Sequence, residues 1–513
     1  MSTIEYMALS KPKRALYSIG NFFKNIPHGI LTLLRKIPRG LINFCKKIVS
    51  PFTNLFRWFA DGNTLTKLSF IFMGAGQTFR KQKIKGILTF IYEIFAIVYM
   101  IVNGIPQFIK LPSFGYIASS QYTIDIPPFS GTVFKDDSFL ILLNCIVSVI
   151  VILVFCFLYY TSIREAYELE KLGKIGKEFT DADTIRTLTG KNYHNVLLSV
   201  PTLGIACFTV IPMIFMILIG FTNYNSNHMN PKELFDWVGM ANFNKLLGLS
   251  GTSDSSQFAG VFLQILLWTL IWSFFATFTN YFLGMIVAIM INKKGIKLKK
   301  IWRTILITTI AVPQFVSLLL ISKMFNDDQG IINHMLLNMG LITENIKFFA
   351  DGLIAKVVII VVNMWIGIPY TMLMCTGILM NIPEDLYESA RIDGASPFKM
   401  YMKITLPYML FVTTPYLIST FVGNINNFNV IYLLTQGGPT FTNINGVMIT
   451  TQLFGAGQTD LLITWLYKMA MGEVFKDYGV ASVVGILVFV VIAFFSLIFY
   501  SKSKSVQNEE EFQ

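Results

Sequence analysis

Eight long apolar runs dominate the chain, near residues 87–109, 139–160, 196–222, 261–292, 302–322, 353–382, 405–435 and 480–500. A helix needs about 20 such residues to cross the hydrocarbon core of a bilayer. The pattern therefore predicts an all-α integral membrane protein with about eight transmembrane helices. The polar segments between the runs alternate in basic residues. With the N-terminus inside, segments 1–86, 161–195, 293–303, 383–404 and 501–513 hold 15, 6, 6, 3 and 2 Lys/Arg, which is 32 of the 41 in the chain. The remaining 9 fall in the outer loops when the edge residues Lys323 and Lys356 are counted as outer, and that bias predicts both termini in the cytoplasm. Within the runs ionisable groups are nearly absent. Glu93 is the plain exception, expected as a buried or snorkelling acid with a polar partner rather than a transport group. Proton-driven carriers tend to need carboxylate or histidine relays within the membrane, so the driving energy is expected from elsewhere.

Composition agrees with lipid as the solvent: 54% of the 513 residues are hydrophobic and 14% charged, against about 25% charged in a soluble domain. Cys45, Cys145, Cys156, Cys207 and Cys375 are too few and scattered for a disulfide framework or zinc site, and read as apolar packing residues. His28, His194, His228 and His334 lie far apart, so no metal site is expected, nor is a signal peptide. The net charge of +12 is concentrated in residues 1–86, where 15 basic residues face only Glu5 and Asp61. A basic segment beside a membrane meets anionic headgroups. Nucleic acid is the poorer partner, because Ile, Leu and Phe interleave the charges. The leader also repeats at a spacing of 11, as Ile26-Pro-His-Gly-Ile30, Ile37-Pro-Arg-Gly-Leu41 and a degenerate Ile48-Val-Ser-Pro-Phe52. Pro and Gly interrupt a single long helix. The expectation is short amphipathic helices on the inner leaflet, the alternative a basic tail without fixed structure.

The most specific segment lies between the sixth and seventh runs, Asn381-Ile-Pro-Glu-Asp-Leu-Tyr-Glu-Ser-Ala-Arg-Ile-Asp-Gly-Ala-Ser-Pro-Phe-Lys-Met-Tyr-Met-Lys-Ile-Thr-Leu-Pro407. It reads as helix, turn, helix. Asn381 with Glu384 suits a capping box, Gly394 a left-handed helix end, and Ser396-Pro397 a second helix start. This segment resembles the "EAA loop" of bacterial ABC-importer permeases, E-A-A-x3-G-x9-I-x-L-P. Glu388, Ala390, Gly394, Ile404, Leu406 and Pro407 match at every spacing, and Ser389 replaces the middle alanine. The resemblance implies a type I ABC importer permease fold, in which this loop is the coupling helix seated on an ATPase subunit. The chain itself has no G-x4-G-K-[ST] phosphate loop, since neither Gly176-Lys177 nor Gly190-Lys191 has the required flanks. It is thus expected to be no enzyme and to bind no cofactor, with ATP and Mg on partner subunits.

Thr420, Asn424, Asn426, Asn427 and Asn429 interrupt the apolar seventh run. Amides in hydrocarbon are costly without a partner or a cavity. On a continuous helix Thr420, Asn424 and Asn427 share one face, and asparagine both donates and accepts, as sugar hydroxyls require. The sixth run adds Trp365-Ile-Gly-Ile-Pro-Tyr370, where Pro369 suits a kink and Tyr370 a passage wall. Interhelical hydrogen-bonding is the alternative use of these groups. From about residue 195 onward the chain is similar to the larger permease subunit of maltose and maltodextrin importers, through W-x-G-x-P-Y, S-T-F-x-x-N-x-N-N-F and Thr435-Gln-Gly-Gly-Pro439. That resemblance implies a sugar site at Ile366, Gly367, Tyr370, Thr420, Gly423, Asn424 and Asn427, with Gly423 standing for a bulkier residue and widening the site. Enterobacterial members carry a large folded outer domain after the third span. Here the loop is only about 223–260, reminiscent of Gram-positive importers with a lipid-anchored binding protein.

The expected organisation is a leader (1–86), two accessory spans (87–194), a six-span core (195–500) with the coupling loop at 381–407, and a cytoplasmic tail (501–513). The expected function is the permease subunit of an ATP-driven maltose or maltodextrin importer in the bacterial cytoplasmic membrane. Its implied partners are a second, smaller permease subunit, two ATPase subunits and an external sugar-binding protein. Rival readings are a permease for raffinose-type or plant-derived oligosaccharides, an ion-coupled carrier, and a membrane scaffold. Full uptake and expression after deletion of residues 1–60 would remove the leader from the mechanism.

Overall fold

The computed structural model describes residues 50–115, 121–126, 129–134, 136–229, 233–293, 295–444, 447–449, 453–472 and 475–502. Residues 26–49, and with them most of the 11-residue repeat and Cys45, lie outside the described residues. Among those described, seven helices are long and apolar enough to span a membrane: Lys83–Lys110, Ser138–Lys174, Tyr193–Ile219, Ser253–Asn292, Gly352–Leu379, Pro397–Ile425 and Tyr478–Ile498. The bent pair Lys299–Ala311 and Gln314–Met324, fifth in chain order, makes an eighth when its two helices are counted as one broken span. Contacts divide the chain into two units, with boundaries at Ile109/Lys110, Leu142/Leu143 and Ile211/Pro212.

In the first unit, the segment before the first span is fastened by polar side chains buried on the spans. Glu93 accepts a hydrogen bond from the Met73 backbone N–H at 2.8 Å, so the one acid in the first span caps an otherwise unmet donor. Glu170 on the second span accepts from the Asn63 N–H (2.9 Å) and the Thr66 hydroxyl (2.8 Å) and pairs with Lys174 (2.8 Å). The Arg80 guanidinium donates to the Ala166 carbonyl at 2.7 Å and stands 3.7 Å from Glu170. Burial pulls the Arg80 pKa below its ordinary value, against the opposing pull of Glu170. Gly74, at φ +83°, is required by close approach as well: a Cβ there would lie 2.2 Å from the Gly86 carbonyl oxygen.

In the second unit, the fourth span is the axis. Its Gly284 has no room for a side chain, because a Cβ would meet the Thr371 Cβ at 2.7 Å. The sixth span can therefore lie directly against it. Trp268, Trp272 and Tyr281 are buried, and each polar end is met. Trp268 Nε1 donates to the Thr459 carbonyl (3.0 Å), Trp272 Nε1 to the Asn424 carbonyl (3.1 Å), and the Tyr281 hydroxyl pairs with Thr413 (2.8 Å). Asn292 at its C-terminal end bonds Thr376 of the sixth span at 3.3 Å. The fourth and sixth spans thus run parallel, with the loop 381–407 at the Asn292 end.

The structure corrects several sequence expectations. The fifth span is not straight over 302–322 but turns by 87° at its break. Pro313 lacks an N–H and disfavours helical geometry at the residue before it, and Val312 is accordingly extended (φ −79°, ψ 125°). The seventh span does not run to 435: it ends at Ile425, and a separate helix covers Phe428–Leu434. The Asn381–Glu384 capping box does not form, because Pro383 occupies the N-cap position and Glu384 begins the helix. The fourth span starts at Ser253, after a short helix Ala241–Leu247 in what read as an open loop. The segment between the first and second spans carries an antiparallel hairpin, β1 (Gln121–Ile126) and β2 (Phe129–Phe134). Cys145 and Cys375 are buried as expected, whereas Cys156 and Cys207 are exposed on the helix surfaces.

Replacing Glu170 by alanine leaves the half-buried Arg80 without its acid and the Asn63 N–H unmet. The expected loss is on the order of 3 kcal/mol, read as a lower thermal midpoint of the purified protein with the first unit opening first to protease.

Candidate functional site: a mid-bundle cavity and a two-helix loop

A cavity of about 380 Å³ lies halfway along the fourth span, among the fourth, fifth, sixth and seventh spans. Its lining includes Thr277 and Asn280 of the fourth span, Gln314 and Ser317 beyond the bend, Asn363, Trp365, Ile366, Gly367 and Tyr370 of the sixth, and Thr420 and Asn424 of the seventh. None of its lining residues carries a charge. Five sequence-expected residues are brought together here: Ile366, Gly367, Tyr370, Thr420 and Asn424. The other two are placed elsewhere. A Cβ on Gly423 would meet nothing within 4 Å, and Gly423 does not line the cavity. Asn427 is the N-cap of the helix Phe428–Leu434, its side chain accepting from the Val430 N–H at 3.4 Å. The break after Ile425 takes it off the helical face of Thr420 and Asn424, yet its amide donates to Asn424 Oδ1 at 3.3 Å.

Asn424 serves both uses that the sequence left open. It is buried, donates from Nδ2 to the Thr277 hydroxyl at 3.0 Å and receives Trp272 on its backbone carbonyl, joining the fourth and seventh spans. The same residue borders the cavity. The sequence reading missed Asn280 and Asn363. Asn280 Oδ1 and Asn363 Nδ2 are buried without a hydrogen-bond partner, one an acceptor and one a donor, and both residues line the cavity. Their signal was the criterion that marked Asn424, an amide in an apolar run. Gly367 is required opposite Asn280, where a Cβ would stand 2.1 Å from Nδ2. Pro369 sits within the sixth helix and removes the N–H that would have closed on the Trp365 carbonyl. The bend of the fifth span serves the same place, since irregular backbone at membrane depth is tolerated where it lines a cavity.

At the Asn292 end of the bundle, the helix Glu384–Ile392 closes on Gly394 (φ +71°) with Gly394 N–H to the Arg391 carbonyl (3.0 Å) and Ala395 N–H to the Ala390 carbonyl (2.9 Å). That pair of bonds is a Schellman ending. Ser396 caps the next helix by accepting from the Lys399 N–H at 3.3 Å, with Pro397 in its first turn. The Tyr387 and Thr405 hydroxyls bond at 2.8 Å, tying the first helix to the second. Glu388, Ser389 and Gly394 are exposed, Ala390, Ile404 and Leu406 half-buried, and Pro407 exposed. Leu386, Ile392 and Phe398 also expose large apolar side chains, so a rigid two-helix element presents an apolar surface.

The model of the family described as "binding-protein-dependent transport system inner membrane component" matches residues 280–503, which includes this loop and most of the cavity. The chain is 31% identical to the maltodextrin transport system permease MalC of Streptococcus pneumoniae, over 86% of this chain and 96% of that protein. It is 33% identical to the galactooligosaccharides permease GanP of Bacillus subtilis (86% and 97%) and 31% identical to the maltodextrin permease MdxF of the same organism (87% and 99%). The chain belongs to this family. It is a multi-pass membrane permease of the ABC-importer class, a transport subunit that works with a substrate-binding protein and other subunits.

For this permease, Tyr370→Ala and Asn424→Ala are each expected to lower uptake efficiency about tenfold, equivalent to roughly 1.4 kcal/mol. Asn280→Ala is expected to lower uptake similarly while thermal stability stays within about 1 kcal/mol of wild type, because the amide oxygen it removes has no partner to lose. Normal transport by both of the first two variants would remove the cavity from the pathway.

Proposed function

We propose that the permease conducts maltodextrins inward through the mid-bundle cavity by alternating access, driven by ATP hydrolysis on two separate ATPase subunits. The observation that carries this reading is the cavity lining: amides, hydroxyls and aromatic rings without a single charge. Such a set matches a neutral polyhydroxylated substrate, since amides and hydroxyls both donate and accept. An ion-coupled carrier is disfavoured by the same uncharged lining. The relatives MalC and MdxF are named for maltodextrin. Ile366, Gly367, Tyr370, Thr420 and Asn424 form the wall, Asn280 and Asn363 offer open hydrogen-bonding valences, and Asn427 holds Asn424 in place. Gly423 lies outside the cavity in this arrangement.

The loop 381–407 is the surface for the ATPase, where nucleotide-driven closure would be delivered. Glu388, Ser389, Ala390, Gly394, Ile404, Leu406 and Pro407 set its shape, and ATP and Mg belong to the partner. A second, smaller permease subunit completes the pathway and an external sugar-binding protein delivers substrate. The basic bias supports a cytoplasmic position for both termini. A second reading, galacto-oligosaccharide import, is favoured by the GanP relative at 33% identity.

The test is uptake of labelled maltotriose, maltotetraose and a galacto-oligosaccharide in cells lacking this chain, with and without its restoration. Restored maltotriose uptake, lost in Gly394→Pro while the protein remains in the membrane, is the expected result. Restored galacto-oligosaccharide uptake alone would transfer the assignment to the second reading. Unchanged transport in Gly394→Pro would overturn the coupling role.

A further inference from the structure

We propose that a larger pocket, at the end of the bundle away from the coupling loop, holds the trailing units of an oligosaccharide whose leading units occupy the mid-bundle cavity. This inference rests on the sugar-permease reading and adds a second carbohydrate subsite with its own residues. The pocket has a volume of about 990 Å³ and lies at the N-terminal end of the fourth span, lined in part by Asp254 and Phe258. That size is at the upper end for small-ligand sites.

Its aromatic residues are arranged as platforms. Tyr432 stacks on Phe428 at 4.7 Å between ring centroids, and Tyr467 stands edge-on to both at 4.9 and 5.4 Å. Phe454 and Phe475 stack at 6.1 Å on the loops across the pocket. Such rings combine a broad apolar face with, in tyrosine, a hydrogen-bonding tip, the two demands made by the C–H face and hydroxyl rim of a pyranose. Exposed Gln436 adds an amide that both donates and accepts.

The charged residues of the pocket are already engaged within the chain, and this decides between a neutral and a charged occupant. Lys468 is bound by buried Asp460 at 2.6 Å and by the Gly455 carbonyl at 2.9 Å. Lys245 is 3.6 Å from Asp477 and lies over the Phe258 ring at 4.9 Å. Asp254 also has a partner.

The two cavities are linked through Asn427, the N-cap of the helix that carries Tyr432. Tyr432 stands about 7.5 Å of helix rise from Asn427, whose amide bonds Asn424 in the mid-bundle cavity. The motif Thr435-Gln-Gly-Gly-Pro439 fixes the far end of that helix. Thr435 and Thr459 hydroxyls bond at 2.8 Å, and Gly437 (φ +83°) admits Asp460 so closely that a Cβ would lie 1.9 Å from its Oδ1. An oligosaccharide long enough to reach both places gains contacts that a disaccharide does not.

The experiment compares kcat/KM for maltose and maltohexaose uptake in the complete reconstituted importer. Tyr467→Ala is expected to lower the maltohexaose-to-maltose ratio by roughly 2- to 10-fold, the range an aromatic contact of this kind carries, and Tyr467→Phe to retain it. If Tyr467→Ala fails to reach the membrane, Tyr467→Leu, which keeps bulk without a ring, carries the same comparison. An unchanged ratio overturns the subsite. An equal loss for both sugars, with weaker stimulation of ATP hydrolysis by the binding protein, assigns the pocket to protein docking and also overturns it. A wild-type importer that carries neither sugar overturns the underlying reading instead.

Discussion

Polar groups at membrane depth have no bulk water to fall back on, so each must meet a partner inside the protein or open onto a cavity. The fourth span shows how this orders the second unit. Trp272, Thr277, Tyr281 and Asn292 spend their hydrogen bonds on the sixth and seventh spans, which sets the neighbours of the axis and their depth. Asn280, on the same helix, has a side-chain oxygen without a partner, and so does the amide nitrogen of Asn363. Where those two fall, the cavity lies. Hydrogen-bonded packing and the uncharged hollow are thus two outcomes of one constraint.

The seventh span connects that hollow to the loop 381–407 without a break. It begins at Pro397, immediately after the Gly394 turn, passes through a π-helical turn at Tyr401–Thr405 and continues to Ile425. Thr420 and Asn424 therefore ride on the same helix that the second half of the loop begins. π-helical turns often mark functional places in helices. Here one lies where the Tyr387–Thr405 bond fastens the first loop helix to the second. The second half of the loop and the cavity wall at Thr420 and Asn424 are thus one continuous helix, and the bent fifth span supplies another wall.

The first unit uses the same chemistry for anchorage. Glu93 and Glu170 are buried acids, but their oxygens are occupied by backbone N–H groups, a hydroxyl and a lysine. They hold the chain around residues 62–82 against the spans. The third span, by contrast, leaves most of its apolar side chains exposed, chiefly over Tyr193–Val210, as suits a helix facing lipid or another subunit.

Span number, the alternating basic bias of the segments between spans and the helix–turn–helix around Gly394 were legible in the chain, because each depends on local hydropathy, local charge or one glycine's backbone freedom. The same holds for the amide criterion that picked out Asn424. What lay beyond reach depended on neighbours distant in sequence. Hydropathy cannot tell a straight span from one turned by 87°, since Pro313 permits the bend but only the cavity beside it makes use of it. The helical periodicity of Thr420, Asn424 and Asn427 presumed an unbroken helix, and the break after Ile425 placed Asn427 behind Asn424 instead of beside it. Which amides are spent on packing and which remain open, as between Asn424 and Asn280, is a matter of what stands opposite each one, and only the tertiary structure supplies that partner.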